Sequence, residues 1–257
     1  MAVGHSRWLT WLAAALAILL AAGFLLVWTL RAGYESRLRQ QIWTGRVPET
    51  TVISNSPVGL ARTVLLLGDS RMAQWGLPQL AQWRVVNAGT AGLTTGQIRL
   101  CAPALLDQFH PDVVVLQAGI NDLKYLGLRP GMSSHVVSIA LSNITATVNE
   151  GAQRHCKVIL LTTWPAGQLS LARRVVWSEA VSAAVAQFNR QLQMLDSSEK
   201  GIRVVDLFKE AGLKPDVEFY RDTLHLNPAA YQLLTPLLKR ELDNVEPNPG
   251  AGPGPNG

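Results

Sequence analysis

A serine, a histidine and an aspartate in this chain have the residue types and local settings that nucleophilic catalysis requires. Ser70 ends the run Leu65-Leu66-Leu67-Gly68-Asp69-Ser70, and Asp222 and His225 stand three residues apart near the C-terminus. A serine hydroxyl becomes a good nucleophile when a base removes its proton, and the base works best when a third group fixes its tautomer. His225 can act as that base, with Asp222 as the third group. Ser70 alone is ambiguous, because serine is also a preferred N-cap of helices.

Two glycine-marked segments contain groups that could stabilise the negative charge formed during such an attack. They are Asn87-Ala88-Gly89-Thr90-Ala91-Gly92 and Gly119-Ile120-Asn121-Asp122. The tetrahedral intermediate of acyl transfer needs hydrogen-bond donors around its oxyanion. We expect these donors to be the amide of Ser70, an amide of the first segment and the side chain of Asn121.

Five short apolar runs alternate with segments of helical spacing, and this alternation predicts an α/β fold. The strands are expected near residues 65–67 and at 84–87, 112–116, 157–161 and 202–206. The main helices are expected at 94–107, 133–154, 175–195 and 229–242. Such a chain forms a doubly wound parallel sheet with helices on both faces. The polar turns then converge on the carboxyl edge of the sheet, where ligands of this fold class bind.

Residues 8–30 form an uncharged apolar run with tryptophans near both ends. The run is long enough to cross a bilayer, and tryptophan is enriched at membrane interfaces. A secretory signal has an apolar core of only about 7–15 residues. We therefore predict one uncleaved N-terminal transmembrane helix, although Ala21-Ala22-Gly23 would allow cleavage.

The anchor divides the chain into unequal parts. Residues 1–7 form a short flank, and residues 31–61 are predicted to be a polar stalk and linker with a brief helical pattern at 34–43. One globular domain is expected at 62–244. Residues 245–257 are rich in Pro and Gly and are predicted to be a disordered tail.

Composition and spacing exclude two classes of partner. The formal net charge is +5 at pH 7, but Lys and Arg are spread along the chain without the basic stripe of a nucleic-acid surface, so no nucleic-acid partner is expected. The histidines and cysteines lack the usual spacing of metal ligands. Cys101 and Cys156 could pair or remain as two buried thiols, and the oligomeric state is not indicated.

Four segments together resemble the blocks of one known superfamily, in the same order along the chain. Gly68-Asp69-Ser70, Asn87-x-Gly-x-x-Gly92, Gly119-x-Asn121-Asp122 and Asp222-x-x-His225 are similar to the four blocks of the SGNH or GDSL hydrolases. The resemblance covers the whole domain. It implies the SGNH hydrolase fold, which is three-layered and flavodoxin-like around a five-stranded parallel sheet. The Gly-x-Ser-x-Gly turn of α/β-hydrolases is absent from the sequence.

The resemblance also implies a role for each matching residue. Ser70 would be the nucleophile and an oxyanion-hole donor, with His225 as the base and Asp222 as the acid that orients it. Gly92 would supply a backbone donor and Asn121 a side-chain donor to the same oxyanion hole. No metal and no cofactor are implied.

Three charged residues beside these positions need their own interpretation. Asp69 and Asp122 are expected to tie turns together through backbone hydrogen bonds. Arg71 stands where many members of the superfamily have an apolar residue. It could meet an anionic substrate or pair with an acid.

These observations predict a membrane-anchored serine esterase, or acylhydrolase, that removes small acyl groups such as acetyl from a carbohydrate or lipid ester. Transfer of the acyl group to a sugar hydroxyl would use the same residues. A non-catalytic ligand-binding domain is a third alternative. Domains of that kind are expected to lose the serine or the histidine, and this chain has both.

Two observations give opposite orientations for the anchor. Arg31, Arg37, Arg39 and Arg46 follow the span whereas only Arg7 precedes it, and the positive-inside rule then favours a cytoplasmic domain. A single N-terminal hydrophobic segment before a hydrolase domain usually directs export. Giving export the greater weight, we predict a single-pass membrane protein with an extracytoplasmic, periplasmic domain.

Overall fold

The computed structural model describes residues 4–43, 47–55 and 62–245. The strands in this part of the chain are β1 (Ile53–Ser54), β2 (Arg62–Gly68), β3 (Trp83–Asn87), β4 (Val113–Gln117), β5 (Lys157–Leu161) and β6 (Ile202–Val205). The helices are α1 (Gly4–Trp43), α2 (Ser70–Trp75), α3 (Thr95–Phe109), α4 (Ile120–Leu123), α5 (Ser133–Gln153), α6 (Leu171–Arg174), α7 (Glu179–Gln193), α8 (Leu207–Glu210) and α9 (Pro228–Asp243). Two 3-10 turns, Lys124–Gly127 and Pro130–Met132, follow α4. The start of the predicted N-terminal flank and the predicted tail after residue 245 lie outside the described residues.

The strands β2 to β6 form the parallel sheet that the sequence predicts. The strand order is β1-β3-β2-β4-β5-β6, and every neighbouring pair from β3 to β6 is parallel. The strand order reverses between β2 and β4, and ligands of open α/β sheets bind outside the carboxyl ends of the strands at such a point. β1 falls within the predicted linker and adds a short antiparallel edge, with Ile53 opposite Asn87. The five parallel strands are confirmed, and β1 is an additional strand.

Helices cover both faces of the sheet because the strands place alternate residues on opposite sides. In β2, Leu65 and Leu67 pack in one core with α3, α5 and α7. Val64 and Leu66 pack in a second core with α2, α8 and α9. All four side chains have no exposed surface. Apolar residues on both faces of a strand are typical of parallel sheets between two helical layers.

The main helices follow the predicted segments with one difference. The ranges of α3, α5 and α9 overlap those predicted at 94–107, 133–154 and 229–242. The helix predicted at 175–195 begins only at Glu179, because Ser178 has an extended backbone and forms its N-cap. The short α6 precedes it and is capped by the side chain of Ser170.

The N-terminal helix α1 has 40 residues and is longer than the predicted anchor. It contains an apolar stretch with a mean hydropathy of 2.4 and no buried side chain, which makes it a candidate membrane span. The helix then continues unbroken into the predicted stalk. There Leu38 is only 2% exposed, and Tyr34 and Ile42 pack against the same core. Residues 34–42 are therefore a helix packed on the globular domain.

Arg71 ties the turn after β2 to two other loops at the carboxyl edge. Its side chain is 1% exposed, and its Nε and Nη1 donate to the carbonyl oxygens of Leu224 at 2.9 Å and Trp164 at 2.8 Å. Its Nη2 lies 3.5 Å from the carbonyl oxygen of Pro165. The hydroxyl of Tyr231 in turn donates to the Arg71 carbonyl at 2.7 Å. The guanidinium of Arg71 therefore serves as a clamp between three loops.

We expect Arg71→Met to lower the free energy of unfolding by about 3–5 kcal/mol, because each buried carbonyl group that loses its donor costs about 1–3 kcal/mol. Burial raises the pKa of Asp69, and the charge of Arg71 is the largest influence that opposes this rise. The substitution removes that charge and leaves the carbonyl groups without their donor. Urea denaturation followed by circular dichroism measures the loss.

Arg99→Met is the control for this measurement, because Arg99 is exposed on α3. It is expected to change the free energy of unfolding by less than about 0.5 kcal/mol. Equal stability of the two variants would contradict the role of Arg71 as a clamp.

Candidate active site

Ser70, His225 and Asp222 form one hydrogen-bonded row at the carboxyl edge of the sheet. The Oγ of Ser70 is 2.9 Å from Nε2 of His225. The Nδ1 of the same ring is 2.7 Å and 2.9 Å from the two carboxylate oxygens of Asp222. The structure brings together the three residues that the sequence selects for nucleophilic chemistry, with the imidazole between the hydroxyl and the carboxylate.

The turn after β2 delivers Ser70 to this row. Asp69 is the N-cap of α2, and its side chain accepts a hydrogen bond from the amide of Arg71 at 2.9 Å. The N-cap role that the sequence allows for Ser70 therefore belongs to Asp69. Ser70 is the first residue of α2, so its own amide N–H has no acceptor within the helix. Its side chain is half-buried, and the hydroxyl reaches the imidazole.

A tight loop before α9 presents His225. The Oδ1 of Asp222 accepts from the amides of Leu224 at 2.8 Å and His225 at 3.0 Å. Burial by itself would raise the pKa of Asp222, but hydrogen bonds from the His225 ring and from these amides outweigh it and hold the pKa below its usual value. Asp222 is therefore an ionised carboxylate at neutral pH, which can fix the orientation and the tautomer of the ring.

The turn at residues 89–92 lies beside the end of β2. The amide of Thr90 donates to the carbonyl of Gly68 at 3.0 Å. A β-carbon at Gly89 would lie 2.3 Å from a backbone nitrogen of α2, so the close approach of the turn to this helix requires glycine. Gly92 has a φ of +83°, a left-handed value that also favours glycine. The turn carries the amide of Gly92 to the carboxyl edge of the sheet.

Two hydrogen bonds orient the side-chain amide of Asn121, which is 4% exposed. Its Nδ2 donates to the carbonyl oxygen of Leu93 at 2.9 Å, and its Oδ1 accepts from Nζ of Lys124 at 2.8 Å. A flip of the amide would lose both bonds. The amide nitrogen has two hydrogens, so one N–H remains for a ligand.

Lys124 belongs to the site, although the sequence analysis did not select it. Burial and, to a lesser extent, the charge of Arg173 lower the pKa of Lys124 to about 8, although the charges of Asp69 and Asp122 act in the opposite direction. The ammonium is therefore charged at neutral pH and lies against the oriented amide. The signal for it was its position three residues after Asn121 on a helical turn, where side chains meet.

Asp69 and Asp122 hold turns, as the sequence predicts. Asp122 accepts from the amide of Thr95 at 3.0 Å and from the Thr95 hydroxyl at 2.8 Å. Burial raises the pKa of Asp122 to about 6. These bonds join α4, which carries Asn121, to the first turn of α3.

The cysteines are both free thiols, and Cys156 is buried whereas Cys101 is half-buried. Of the two arrangements that the sequence allows, the structure has the unpaired one. Within residues 4–43, 47–55 and 62–245, no group of three or more His, Cys, Asp or Glu side chains is placed to hold a metal ion.

Comparison with known proteins relates this chain to one family and one curated protein. The model of the GDSL-like Lipase/Acylhydrolase family matches residues 66–233, which include every residue of the row described above. An arylesterase from Vibrio mimicus is 31% identical over 102 residues, which are 34% of this chain and 48% of that protein. The match thus spans about half the length of this curated relative.

Solved structures of two further proteins have a similar fold. A GDSL-like lipase from Bacteroides thetaiotaomicron has 17% identity and a TM-score of 0.53, covering 72% of this chain and 89% of its own. A catalytic mutant of an acetylxylan esterase from Geobacillus stearothermophilus has 22% identity and a TM-score of 0.55, covering 74% and 97%. At these identities the likeness concerns the fold alone. The family match extends over most of the chain, and the chain therefore belongs to the GDSL-like Lipase/Acylhydrolase family.

Proposed function

We propose that the protein is a serine esterase that removes small acyl groups, acetyl above all, from carbohydrate or lipid esters. The observation that carries this proposal is the row from Ser70 through His225 to Asp222, with separations of 2.9 Å and 2.7 Å. Membership of the family and the 31% identity to an arylesterase support ester hydrolysis as the reaction.

The first half of the proposed reaction forms an acyl-enzyme. The Oγ of Ser70 attacks the carbonyl carbon of the ester while Nε2 of His225 takes the hydroxyl proton. Asp222 stabilises the resulting imidazolium through Nδ1. The tetrahedral intermediate collapses, the C–O bond to the alcohol breaks, and the imidazolium returns its proton to the leaving oxygen.

The second half releases the acid. A water molecule gives a proton to Nε2 of His225 and attacks the acyl carbon, and the bond to Ser70 Oγ breaks as the serine recovers its proton. In both halves the oxyanion would accept hydrogen bonds from the amides of Ser70 and Gly92 and from the free N–H of Asn121. Each such donor typically lowers the activation barrier by about 3–4 kcal/mol.

We further propose that α1 anchors the enzyme in a membrane as a single-pass helix, with the catalytic domain on the extracytoplasmic side. The exposed apolar stretch with a mean hydropathy of 2.4 supports the anchor. A single hydrophobic segment that precedes a hydrolase domain usually directs export, and this order supports the extracytoplasmic side.

Ser70→Ala is expected to lower kcat/KM for p-nitrophenyl acetate by about 10⁴-fold or more, because it removes the attacking oxygen. The assay uses the full chain in detergent and a series of p-nitrophenyl esters of increasing acyl length, with the acetate cleaved fastest. Ser198→Ala is the control, because Ser198 is exposed and outside the site. Native activity in Ser70→Ala would overturn the proposed mechanism.

Asp222→Asn is expected to lower kcat by roughly 10³- to 10⁴-fold with little change in KM, because an amide no longer fixes the productive tautomer of His225. Asp216→Asn serves as the matched change in the same loop, and it should leave kcat within about two-fold of the native value. Equal kcat values for the two variants would count against Asp222 as the orienting acid.

The charge on Lys124 predicts that kcat falls at alkaline pH. Below pH 8 its ammonium is charged and polarises the Asn121 amide, and as the pH rises through about 8 the charge and this support are lost. We expect kcat of the native protein to fall several-fold over that interval. Lys124→Arg, which stays charged, should lack this fall, and Lys124→Met should have a kcat about ten-fold lower at pH 7 with an unchanged KM. An alkaline limb that is identical in all three proteins would contradict the role of Lys124.

A further inference from the structure

We propose that Gln41, a residue of α1, binds the alcohol part of the substrate, so that the N-terminal helix forms one side of the active site. This inference rests on the function proposed above and adds a specificity-determining residue to it. The segment of α1 concerned is residues 34–42, which lie outside the residues 66–233 that the family model matches. The role of Gln41 is therefore a feature of this chain that the family match does not supply.

Gln41 lies on the face of α1 that packs on the domain. Tyr34 and Leu38 come seven and three residues before it, and these spacings place side chains on one face of a helix. Leu38 is buried, and Tyr34 and Ile42 pack against the same core. Gln41 itself is half-buried, whereas its neighbour Gln40 is exposed. The side chain of Gln41 is therefore directed toward the domain.

The end of this side chain lies beside Gly92, a proposed oxyanion donor. A β-carbon at Gly92 would lie 3.7 Å from Nε2 of Gln41. Since a backbone nitrogen is about 2.5 Å from the β-carbon position of its own residue, Nε2 is within roughly 6 Å of the Gly92 nitrogen. Among the described residues, no other atom apart from Gly92 and its chain neighbours comes within 4 Å of that β-carbon position. One bound ester can therefore contact both amides.

The side-chain amide of Gln41 is free to bind a ligand. It forms no hydrogen bond with any other group in the part of the chain that the structure describes. Polar groups on the packed face of a helix are usually hydrogen-bonded, because they lose contact with water there. The amide thus offers two N–H donors and one oxygen acceptor beside the proposed oxyanion hole.

The proposed reaction leaves one part of the substrate for this amide. The ester carbonyl oxygen would already accept from the amides of Ser70 and Gly92 and from Asn121, and the rest of an acetyl group is a methyl group. Any further polar atom of such a substrate belongs to its alcohol. A hydroxyl group can both donate and accept, and a glutamine amide can match it in either role. Gln41 therefore binds a hydroxyl group close to the ester bond.

Tyr34 fixes the other end of the segment at a second part of the site. Its hydroxyl accepts from Nη1 of Arg173 at 3.3 Å. Arg173 and Asp222 both line a cavity of about 520 Å³. From Tyr34 to Gln41 the helix rises by about 10 Å, at about 1.5 Å per residue. Between these ends α1 packs against α4, which carries Asn121. The segment thus borders the site along its length and holds Gln41 in place.

The test compares two acetate esters that differ only in hydroxyl groups. One is methyl glucopyranoside acetylated on its primary hydroxyl, and the other is the same compound without its three ring hydroxyls. The values of kcat and KM for both esters and for p-nitrophenyl acetate are measured with the full chain in detergent. Each variant is compared with the native protein on the same ester, so the different reactivities of the esters cancel.

We expect Gln41→Ala to raise KM for the acetylated glucoside about five- to ten-fold with kcat unchanged, which is the effect of losing one neutral hydrogen bond. Both constants for the deoxygenated ester should stay within about two-fold of the native values, because that ester has no hydroxyl group to bind. Gln40→Ala, at the exposed neighbouring position, is the matched control and should change neither ester.

Gln41→Glu tests the position of the side chain independently of the hydroxyl groups. The variant keeps the size of the side chain and places a negative charge near the proposed oxyanion. Repulsion between the two charges should lower kcat for both esters about ten-fold or more. Gln40→Glu places the same charge in solvent, where salt screens it, and should leave kcat within about two-fold of native. A purely structural role of Gln41 would not give this dependence on charge.

Several results would overturn the inference. They are an unchanged KM for the glucoside in Gln41→Ala, an equal loss for both esters in that variant, an unchanged kcat in Gln41→Glu, and equal KM values of the native protein for the two esters. If the native protein still hydrolyses p-nitrophenyl acetate, the esterase proposal stands without the role of Gln41. A native protein that cleaves none of the three esters contradicts both.

Discussion

The buried guanidinium of Arg71 holds the loop of the proposed catalytic histidine against the end of β2, where Ser70 lies. Ser70 is delivered by a β-strand and a helix, but His225 and Asp222 stand on a loop with little regular structure. Arg71, the neighbour of Ser70, donates to the Leu224 carbonyl, and Leu224 is the neighbour of His225. The 2.9 Å separation between Oγ and Nε2 therefore depends on one cation that bonds carbonyl groups. A lysine could not replace it, because only the planar fork of arginine offers donors in several fixed directions.

The proposed oxyanion side of the site is organised by a second set of charges. Asp122 binds the start of α3, Leu93 and Lys124 orient the Asn121 amide, and the ammonium polarises the amide that it orients. Buried polar groups of this kind are costly unless every one is satisfied, and here each hydrogen bond also fixes the direction of a neighbour. Preorganised donors of this kind need little rearrangement when negative charge forms on a substrate.

The packing of α1 connects this chemistry to a candidate membrane span. A flexible stalk would let the catalytic domain sample many heights and orientations. Instead the helix passes from exposed apolar residues to the buried Leu38 without a break, and ion pairing between Glu35 and Arg129 adds a fixed contact with the domain. The candidate span and the globular domain are therefore joined by one continuous helix.

The sequence by itself determined the strands, the doubly wound sheet and the residues of the proposed row. These follow from local patterns: apolar runs that end in glycine-marked turns, and Asp222 and His225 within one loop. Parallel strands bring such turns to one edge whatever the remaining contacts are. Only the tertiary structure decided the role of Arg71, the bond from Lys124 to Asn121, the edge strand β1 and the packing of α1. Arg71 contacts a residue 153 positions away and Glu35 one 94 positions away. Contacts between such distant residues depend on how the layers pack, and no local pattern encodes them.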